Sequence, residues 1–142
     1  MSTEALENLV RIGKLKKEAP DQGQIDGMIH SARIRLGDLN AEGLSEEGKF
    51  LSAYGAAHSL SLAALRRHGY RSDNRYIVFQ CLQHTVGLEP GKWRVLGKCH
   101  AARNRAEYEG ILDITPKLLE ELITITRELL ASVEGLDPVV RE

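Results

Sequence analysis

The spacing of apolar residues is the feature that most constrains the fold of this chain. Between residues 25 and 39, apolar side chains recur every three or four positions, at Ile25, Met28, Ile29, Ala32, Leu36 and Leu39. This period matches the 3.6 residues per turn of an α-helix, whereas a half-buried strand alternates at every second residue. The same spacing continues along most of the chain, and no alternating strand pattern interrupts it. The sequence therefore predicts an all-α fold.

Residues that start and end helices set the expected boundaries in the first half of the chain. An amphipathic N-terminal helix should lie within residues 1–20. It should run to about Lys17, because Pro20 prevents the helix from continuing. The second helix carries the apolar stripe described above. Ser45 is a typical N-cap for a long third helix, and Gly69 is a typical residue to close it.

The second half of the chain should contain three further helices. The fourth helix should begin at Ser72 or Asp73 and end near Gly87. The fifth should run from about Trp93 to Gly110, and the last from Thr115-Pro116 to Gly135. A cap residue followed by proline is a common helix start, because proline fits the first turn. Residues 135–142 should form a frayed tail. Residues 1–142 thus form a single domain with four to six helices.

Composition narrows the class of protein. Aromatic residues make up only 5% of the 142 residues, so Leu, Ile, Val and Ala must fill the core. No apolar run reaches the roughly 18 residues that a membrane span requires, and the N-terminus lacks the apolar region of a secretory signal. Cys81 and Cys99 are too few for a disulfide framework and should be reduced thiols. We therefore expect a cytoplasmic protein without a membrane segment.

The third predicted helix is rich in small side chains, which allow two helix axes to approach closely. The small residues in question are Gly55, Ala56, Ala57, Ala63 and Ala64. The helix should therefore lie at the centre of the bundle or on a tight dimer seam. His58 falls in the same run and is interpreted as a hydrogen-bonded core histidine, with a functional role as the alternative.

Charge is distributed unevenly along the chain although the formal net charge is only −1. Between His58 and Gly110 there are nine basic and four acidic side chains, whereas both flanking parts are acidic. A central basic zone fits a polyanion or an acidic partner. The alternative is that neighbouring helices of the bundle carry complementary charges.

The segment from Arg103 to Glu109 combines a guanidinium, a carboxamide and a phenol within two helical turns. Arg103 and Glu107 should be vertical neighbours on the helix, and Asn104 and Tyr108 should form a second pair beside them. Arginine presents a planar fork of donors that suits phosphate oxygens. The alternative interpretation is a surface ion pair with a tyrosine that anchors the helix.

Several common chemistries lack their motifs. The glycines are scattered and no Gly-Lys-Ser/Thr phosphate loop is present, nor is a nucleophile elbow. The cysteines and histidines at positions 81, 84, 99 and 100 do not suit a metal ion, because the adjacent Cys99 and His100 point about 100° apart on a helix. The sequence predicts neither a metal site nor a cofactor.

The small-residue helix followed by a helix with an Arg-Asn pair resembles the HEPN superfamily of small helical bundles. The ten residues Ala101-Ala102-Arg103-Asn104-Arg105-Ala106-Glu107-Tyr108-Glu109-Gly110 are similar to the characteristic helix of that family. The resemblance implies an up-and-down helical bundle, usually a homodimer, in which two such helices face each other across a cleft. Catalytic members cleave RNA without a metal by means of arginine and histidine, and many are toxins encoded beside a nucleotidyltransferase antitoxin.

The chain departs from the family pattern at the catalytic histidine. The family's arginine and its polar neighbour fall on Arg103 and Asn104, but the histidine position is occupied by Tyr108. The tyrosine that toxins paired with nucleotidyltransferases have two residues further on is replaced by Gly110. Histidine suits proton transfer because its pKa lies near working pH, whereas that of tyrosine is about 10. His100, one turn before Arg103, is a possible substitute.

These observations leave two functional hypotheses. The first is a HEPN-like protein that binds or acts on RNA or a nucleotide in a toxin-antitoxin or defence context, with weakened catalysis. The second is a non-catalytic binding module or dimeric interaction protein in which the Arg-Asn cluster is structural. The expected catalytic residues are Arg103, Asn104 and Tyr108. Lys98, His100, Arg103 and Arg105 are the expected nucleic-acid or nucleotide-binding residues, and a homodimer and a nucleotidyltransferase-type antitoxin are the expected partners.

Overall fold

The computed structural model describes residues 2–140 and confirms an all-α helical bundle within them. Its helices are α1 (Ser2–Arg11), α2 (Gln22–Asp38), α3 (Glu46–Arg67), α4 (Arg75–Gln80), α5 (Leu82–Thr85), α6 (Pro90–Glu109) and α7 (Pro116–Glu134). A single residue, Cys81, separates α4 from α5. If these two are counted as one interrupted helix, the described residues contain six helices, as the sequence predicts.

Helix-capping residues account for most of the observed boundaries. The predicted caps Ser45 and Thr115 accept hydrogen bonds from the backbone N–H groups of Gly48 and Leu118, three residues further on. The prediction of Ser72 or Asp73 as the cap of the fourth helix is wrong, because Asn74 occupies that position. The Ser72 hydroxyl instead accepts from the backbone N–H of Asn74 and orders the turn before the helix.

The N-terminal helix is shorter than its sequence predicts. It ends at Arg11, and Gly13 follows with a φ of 78°, which turns the chain out of the helix. The next residues do not continue as a helix to Lys17 but form strand β1 (Lys16–Lys17), which pairs antiparallel with β2 (Tyr70–Arg71). The prediction of a helix to Lys17 is therefore wrong, and a two-residue strand is too short to leave an alternating pattern in the sequence.

Helix α3 forms the centre of the bundle and packs against α2, α4, α6 and α7. The alanines at positions 53, 56, 57, 63 and 64 are fully buried within this chain. The close packing of α3 thus confirms the central position predicted from its small residues. A second, smaller core cluster joins α1 to the α3–α4 connection through Leu6, Leu15, Leu65, Tyr70, Ile77, Val78 and Cys81.

The segment after α7 is held against the bundle. The guanidinium of Arg67 donates to the backbone carbonyls of Asp137 and Pro138, and the backbone N–H of Val139 donates to the side chain of Gln22. Residues 137–139 therefore contact the bundle, the frayed tail stays a prediction, and residues 141 and 142 lie outside the described part. Among the helices described, none is both long and apolar enough to cross a membrane.

Arg66 connects the loop before α2 to the central helix. Its side chain is only 4% exposed, pairs with Glu18 at 3.0 Å, and donates to the carbonyls of Glu18 and Ala19. Arg66→Ala should lower the free energy of unfolding by about 3 kcal/mol, because the partly buried loop carbonyls lose their donor and the removal of the buried side chain leaves a cavity. Urea denaturation followed by circular dichroism measures this change. Arg127→Ala, at an exposed position of α7, is the control and should stay within about 0.5 kcal/mol of the wild type.

Candidate anion-binding site

The candidate site lies along one face of α6. His100, Arg103, Asn104 and Glu107 follow one another at helical spacings of three, one and three residues, so their side chains share that face. Nη1 of Arg103 lies 3.1 Å from Oε2 of Glu107, which agrees with the predicted vertical pair. The Arg103 side chain is 27% exposed, so it is partly covered but still open to a ligand.

A chain of hydrogen bonds connects α3 to this face of α6. Nη1 of Arg103 donates to Oδ1 of Asn104 at 3.5 Å, and Nδ2 of Asn104 lies 3.1 Å from Nε2 of His100. Nδ1 of His100 lies 2.9 Å from the hydroxyl of Tyr54 on α3. Because the Asn104 amide nitrogen donates to Nε2, the neutral imidazole of His100 accepts at Nε2 and carries its proton on Nδ1. Both ring nitrogens of His100 are therefore occupied within the protein.

Two arginines approach the ring of Tyr54. Cζ of Arg75, at the start of α4, lies 5.6 Å from the ring centroid, and Cζ of Arg103 lies 5.9 Å from it. Such distances allow cation–π attraction, which orders both guanidinium groups. Within residues 2–140, Glu107 is the one carboxylate within 4 Å of either guanidinium. The site therefore concentrates positive charge with little internal neutralisation.

Two histidines flank the buried ring of Phe79. The ring centroids of His58 and His100 lie 6.1 Å and 6.4 Å from that of Phe79, both with edge-to-face geometry. Burial lowers the pKa of His58 to about 4, with further contributions from Arg75, His100, Arg103 and Arg35. Burial and the charges of Arg103 and Arg75 also lower the pKa of His100. Both histidines are therefore neutral at neutral pH, which limits the repulsion between them and the arginines.

Tyr54 forms the buried end of the chain of hydrogen bonds that begins at Arg103. Its side chain is 2% exposed and packs between Phe50, at 6.0 Å between ring centroids, and Phe79, at 5.8 Å. Burial raises the pKa of the Tyr54 hydroxyl, although Arg75 and Arg103 oppose the shift. Tyr54 is thus a neutral phenol that fixes the position of the His100 ring.

The structure brings together only part of the predicted site. His100, Arg103 and Asn104 are in contact, whereas the Tyr108 side chain is 86% exposed on the last turn of α6. The predicted pairing of Asn104 with Tyr108 is not among the hydrogen bonds of the described residues. Arg105 pairs with Glu109 at 2.7 Å on the outside of the helix, and Lys98 is also exposed. Tyr108, Arg105 and Lys98 therefore lie outside the hydrogen-bonded chain.

Three residues of the site, Tyr54, His58 and Arg75, are not among the binding residues predicted from the sequence. The sequence assigns no functional role to Tyr54, predicts a hydrogen-bonded core histidine at His58, and includes Arg75 only in the basic zone. Within the described residues, the His58 ring packs on Phe79 without a hydrogen bond to either nitrogen. The sequence contains a weak signal, since Tyr54 and His58 are four residues apart and lie on either side of the small residues Gly55, Ala56 and Ala57.

A groove of about 280 Å³ opens beside Arg103. It lies between the start of α3 and the end of α6 and is lined by Glu47, Leu51, Arg103, Ala106, Glu107 and Leu112. Leu51 is 45% exposed at its edge. The Arg103 guanidinium can therefore be reached from solvent through a surface that is partly apolar.

The cysteines belong to the core and not to this site. Cys81 and Cys99 are both buried free thiols, and burial raises the pKa of each to about 12. They are therefore neutral thiols at physiological pH. Among the residues described, no group of three or more His, Cys, Asp and Glu side chains is arranged to hold a metal ion.

Comparisons of the chain with protein-family models, with curated proteins and with solved structures gave no match.

The low pKa of His58 makes the stability of the fold depend on pH. An ordinary histidine in the unfolded chain binds a proton below about pH 6.5, whereas folded His58 binds one only below about pH 4. The low pKa of His58 therefore contributes up to about 3 kcal/mol to the free energy of unfolding above pH 6.5, and this contribution is lost as the pH falls to 4. His58→Asn should remove this contribution in urea denaturations between pH 4 and 7. His30→Asn, at an exposed position of α2, should keep the wild-type slope, and equal slopes in all three proteins would contradict the burial of a neutral His58.

Proposed function

We propose that this chain binds RNA through its phosphodiester backbone at the site formed by Arg75, Tyr54, His100, Arg103 and Asn104. The proposal depends on one observation: two guanidinium groups converge on one buried tyrosine ring beside a hydrogen-bonded histidine, and among residues 2–140 a single carboxylate lies within 4 Å of them. Guanidinium groups donate paired hydrogen bonds to phosphate oxygens, and such charge-assisted bonds are among the stronger ones in proteins. The resemblance of residues 101–110 to the HEPN family supports RNA as the ligand.

A bound phosphate would compete with Glu107 for Arg103. Because the pair with Glu107 lies at the surface, where ion pairs contribute little, a phosphate can displace the carboxylate at small cost. Asn104 is positioned to orient the ligand as well, since its amide already links Arg103 to His100. The site therefore has two cationic donors and one neutral amide available to a single phosphodiester.

Cleavage of the bound RNA is the second candidate function. In this candidate function, His100 would exchange a proton with a ribose hydroxyl next to a phosphate on Arg103, in place of the histidine that the family pattern puts at position 108. Such a reaction would transfer the 2′-hydroxyl proton to Nε2 as the 2′-oxygen attacks phosphorus and a 2′,3′-cyclic phosphate forms. The bond from phosphorus to the 5′-oxygen would break, and the imidazolium would return its proton, directly or through water, to that leaving oxygen. Nε2 is occupied by Asn104 in this structure. Binding is therefore favoured over efficient cleavage.

The homodimer and the toxin-antitoxin context rest on the HEPN resemblance. A second copy that faced the end of α6 would cover the exposed side chains of Leu51, Tyr108 and Ile111, which are 45%, 86% and 58% exposed. These three apolar or partly apolar side chains are compatible with such an arrangement. A nucleotidyltransferase-type antitoxin is proposed as a further partner on the same family resemblance.

The binding proposal is tested with a labelled single-stranded RNA of mixed sequence, followed by fluorescence anisotropy over a series of salt concentrations. Arg103→Gln and Arg75→Gln should each weaken binding about tenfold, because each removes a charge-assisted hydrogen bond. The slope of log affinity against log salt should fall by about 0.7 for each lost phosphate contact. Arg94→Gln is the matched control, since Arg94 is an exposed arginine on the same helix. If Arg103→Gln binds RNA as well as Arg94→Gln does, the site does not bind RNA.

The cleavage proposal is tested with the same RNA in the presence of EDTA, with products separated on denaturing gels. His100→Gln should lower the wild-type cleavage rate by about 10²–10⁴-fold, because it removes the proton-transfer group. RNA binding by the same variant should persist, since the arginines remain. Loss of cleavage in Tyr108→Phe together with full activity in His100→Gln would assign proton transfer to Tyr108 instead.

A further inference from the structure

Arg35 on α2 lies against the backbone of the central helix at Gly55. A Cβ atom at Gly55 would overlap Nη1 of Arg35 and lie 2.9 Å from its Cζ and 3.3 Å from its Cδ. No side chain larger than hydrogen fits there without moving the guanidinium, because Cβ contacts under 3.0 Å are not tolerated. The glycine at position 55 thus allows the guanidinium to rest on α3, directly after Tyr54.

The charge of Arg35 has no acidic partner in the described part of the chain. Two residues earlier on α2, Arg33 pairs with Glu134 of α7. Arg35 has no carboxylate within 4 Å among residues 2–140, although its side chain reaches across to the next helix. The Arg35 side chain is exposed to solvent, so its guanidinium is available to an external anion.

Arg35 belongs to the same positive surface as the proposed RNA site. Gly55, against which it lies, is three residues before His58 on α3, and these two positions are neighbours on one side of the helix. Arg35, Arg75 and Arg103 each lower the pKa of His58, so the charges of all three reach that ring. Arginines from three different helices, α2, α4 and α6, therefore act on the ring of His58, and two of them, Arg75 and Arg103, also act on His100.

We propose that Arg35, resting on Gly55, binds a second phosphate of the RNA strand whose first phosphate is bound by Arg75 and Arg103. The ligand class is accordingly an oligonucleotide with at least two consecutive phosphodiesters, and not a mononucleotide. The inference rests on the proposed function, because Arg35 extends the same site. A ligand with one phosphodiester satisfies Arg75 and Arg103 and leaves Arg35 without an anion.

The test uses a trinucleoside diphosphate with 2′-O-methyl riboses, which cannot be cleaved by attack of the 2′-oxygen. Its comparison ligands are the two analogues in which one linkage is a neutral methylphosphonate, so that the bases are unchanged. Replacement of the linkage at Arg35 should weaken binding to the wild type about tenfold. Arg35→Gln should bind the diphosphate about tenfold more weakly and should no longer distinguish it from that analogue. NMR titration measures all these affinities.

Two further variants separate the contact from general damage. Arg33→Gln is the matched control on the same helix and should discriminate between the ligands as the wild type does. Gly55→Ala should lose the same discrimination as Arg35→Gln, because the new Cβ displaces the guanidinium. The double variant should lose no more than either single one, which is the behaviour of two residues that act through one contact. Circular dichroism confirms that each variant is folded.

The outcomes distinguish this inference from the proposed function. If Arg103→Gln binds the trinucleotide as the wild type does, the RNA site itself is wrong. If Arg103→Gln weakens binding but Arg35→Gln keeps the wild-type discrimination, only the second phosphate site is overturned. Equal affinity of the wild type for the diphosphate and both analogues also overturns it.

Discussion

The rest of the structure depends on the close packing around α3. Its alanines at positions 53, 56, 57, 63 and 64 have no exposed surface, so neighbouring helices approach its backbone closely. The larger side chains that α3 contributes to the core lie among these alanines, and Tyr54 is one of them. Tyr54 packs among aromatic rings from α3 and α4, and His58 lies against Phe79. The core thereby fixes the positions of Tyr54 and His58, and arginines from other helices lie near these two side chains.

The electrostatics of the site follow from this packing. The basic zone predicted from the sequence contains several arginines with different surroundings. Arg66 is buried and holds a loop, Arg105 is paired on the surface with Glu109, and Arg75 and Arg103 meet at Tyr54. Of these four arginines, Arg75 and Arg103 are the two that combine partial burial with few carboxylates nearby among the described residues. The histidines beside them stay neutral because burial and the arginines both disfavour a further positive charge.

The contrast between His100 and Tyr108 shows how tertiary contacts select among candidate residues. Both are at helical spacings from the Arg103–Asn104 pair, so spacing along α6 makes either one a plausible neighbour. His100 lies where α6 still packs against α3, and its ring is fixed on both sides by Tyr54 and Asn104. Tyr108 lies on the last, exposed turn of the helix. The decisive difference is therefore the position of α3, which a pattern within α6 does not contain.

The sequence by itself determined the helical class, most helix boundaries and the central place of α3. These are local properties, since apolar period, capping residues such as Ser45 and Thr115, and small side chains act through neighbours in the chain. It also indicated Arg103, Asn104 and His100, which share one face of a single helix. Only the tertiary structure decided that Tyr54, His58, Arg75 and Arg35 join them, because these residues come from other helices. Short elements such as β1 and the segment after α7 were likewise decided by distant contacts, with Tyr70 and Arg71 in one case and with Arg67 and Gln22 in the other.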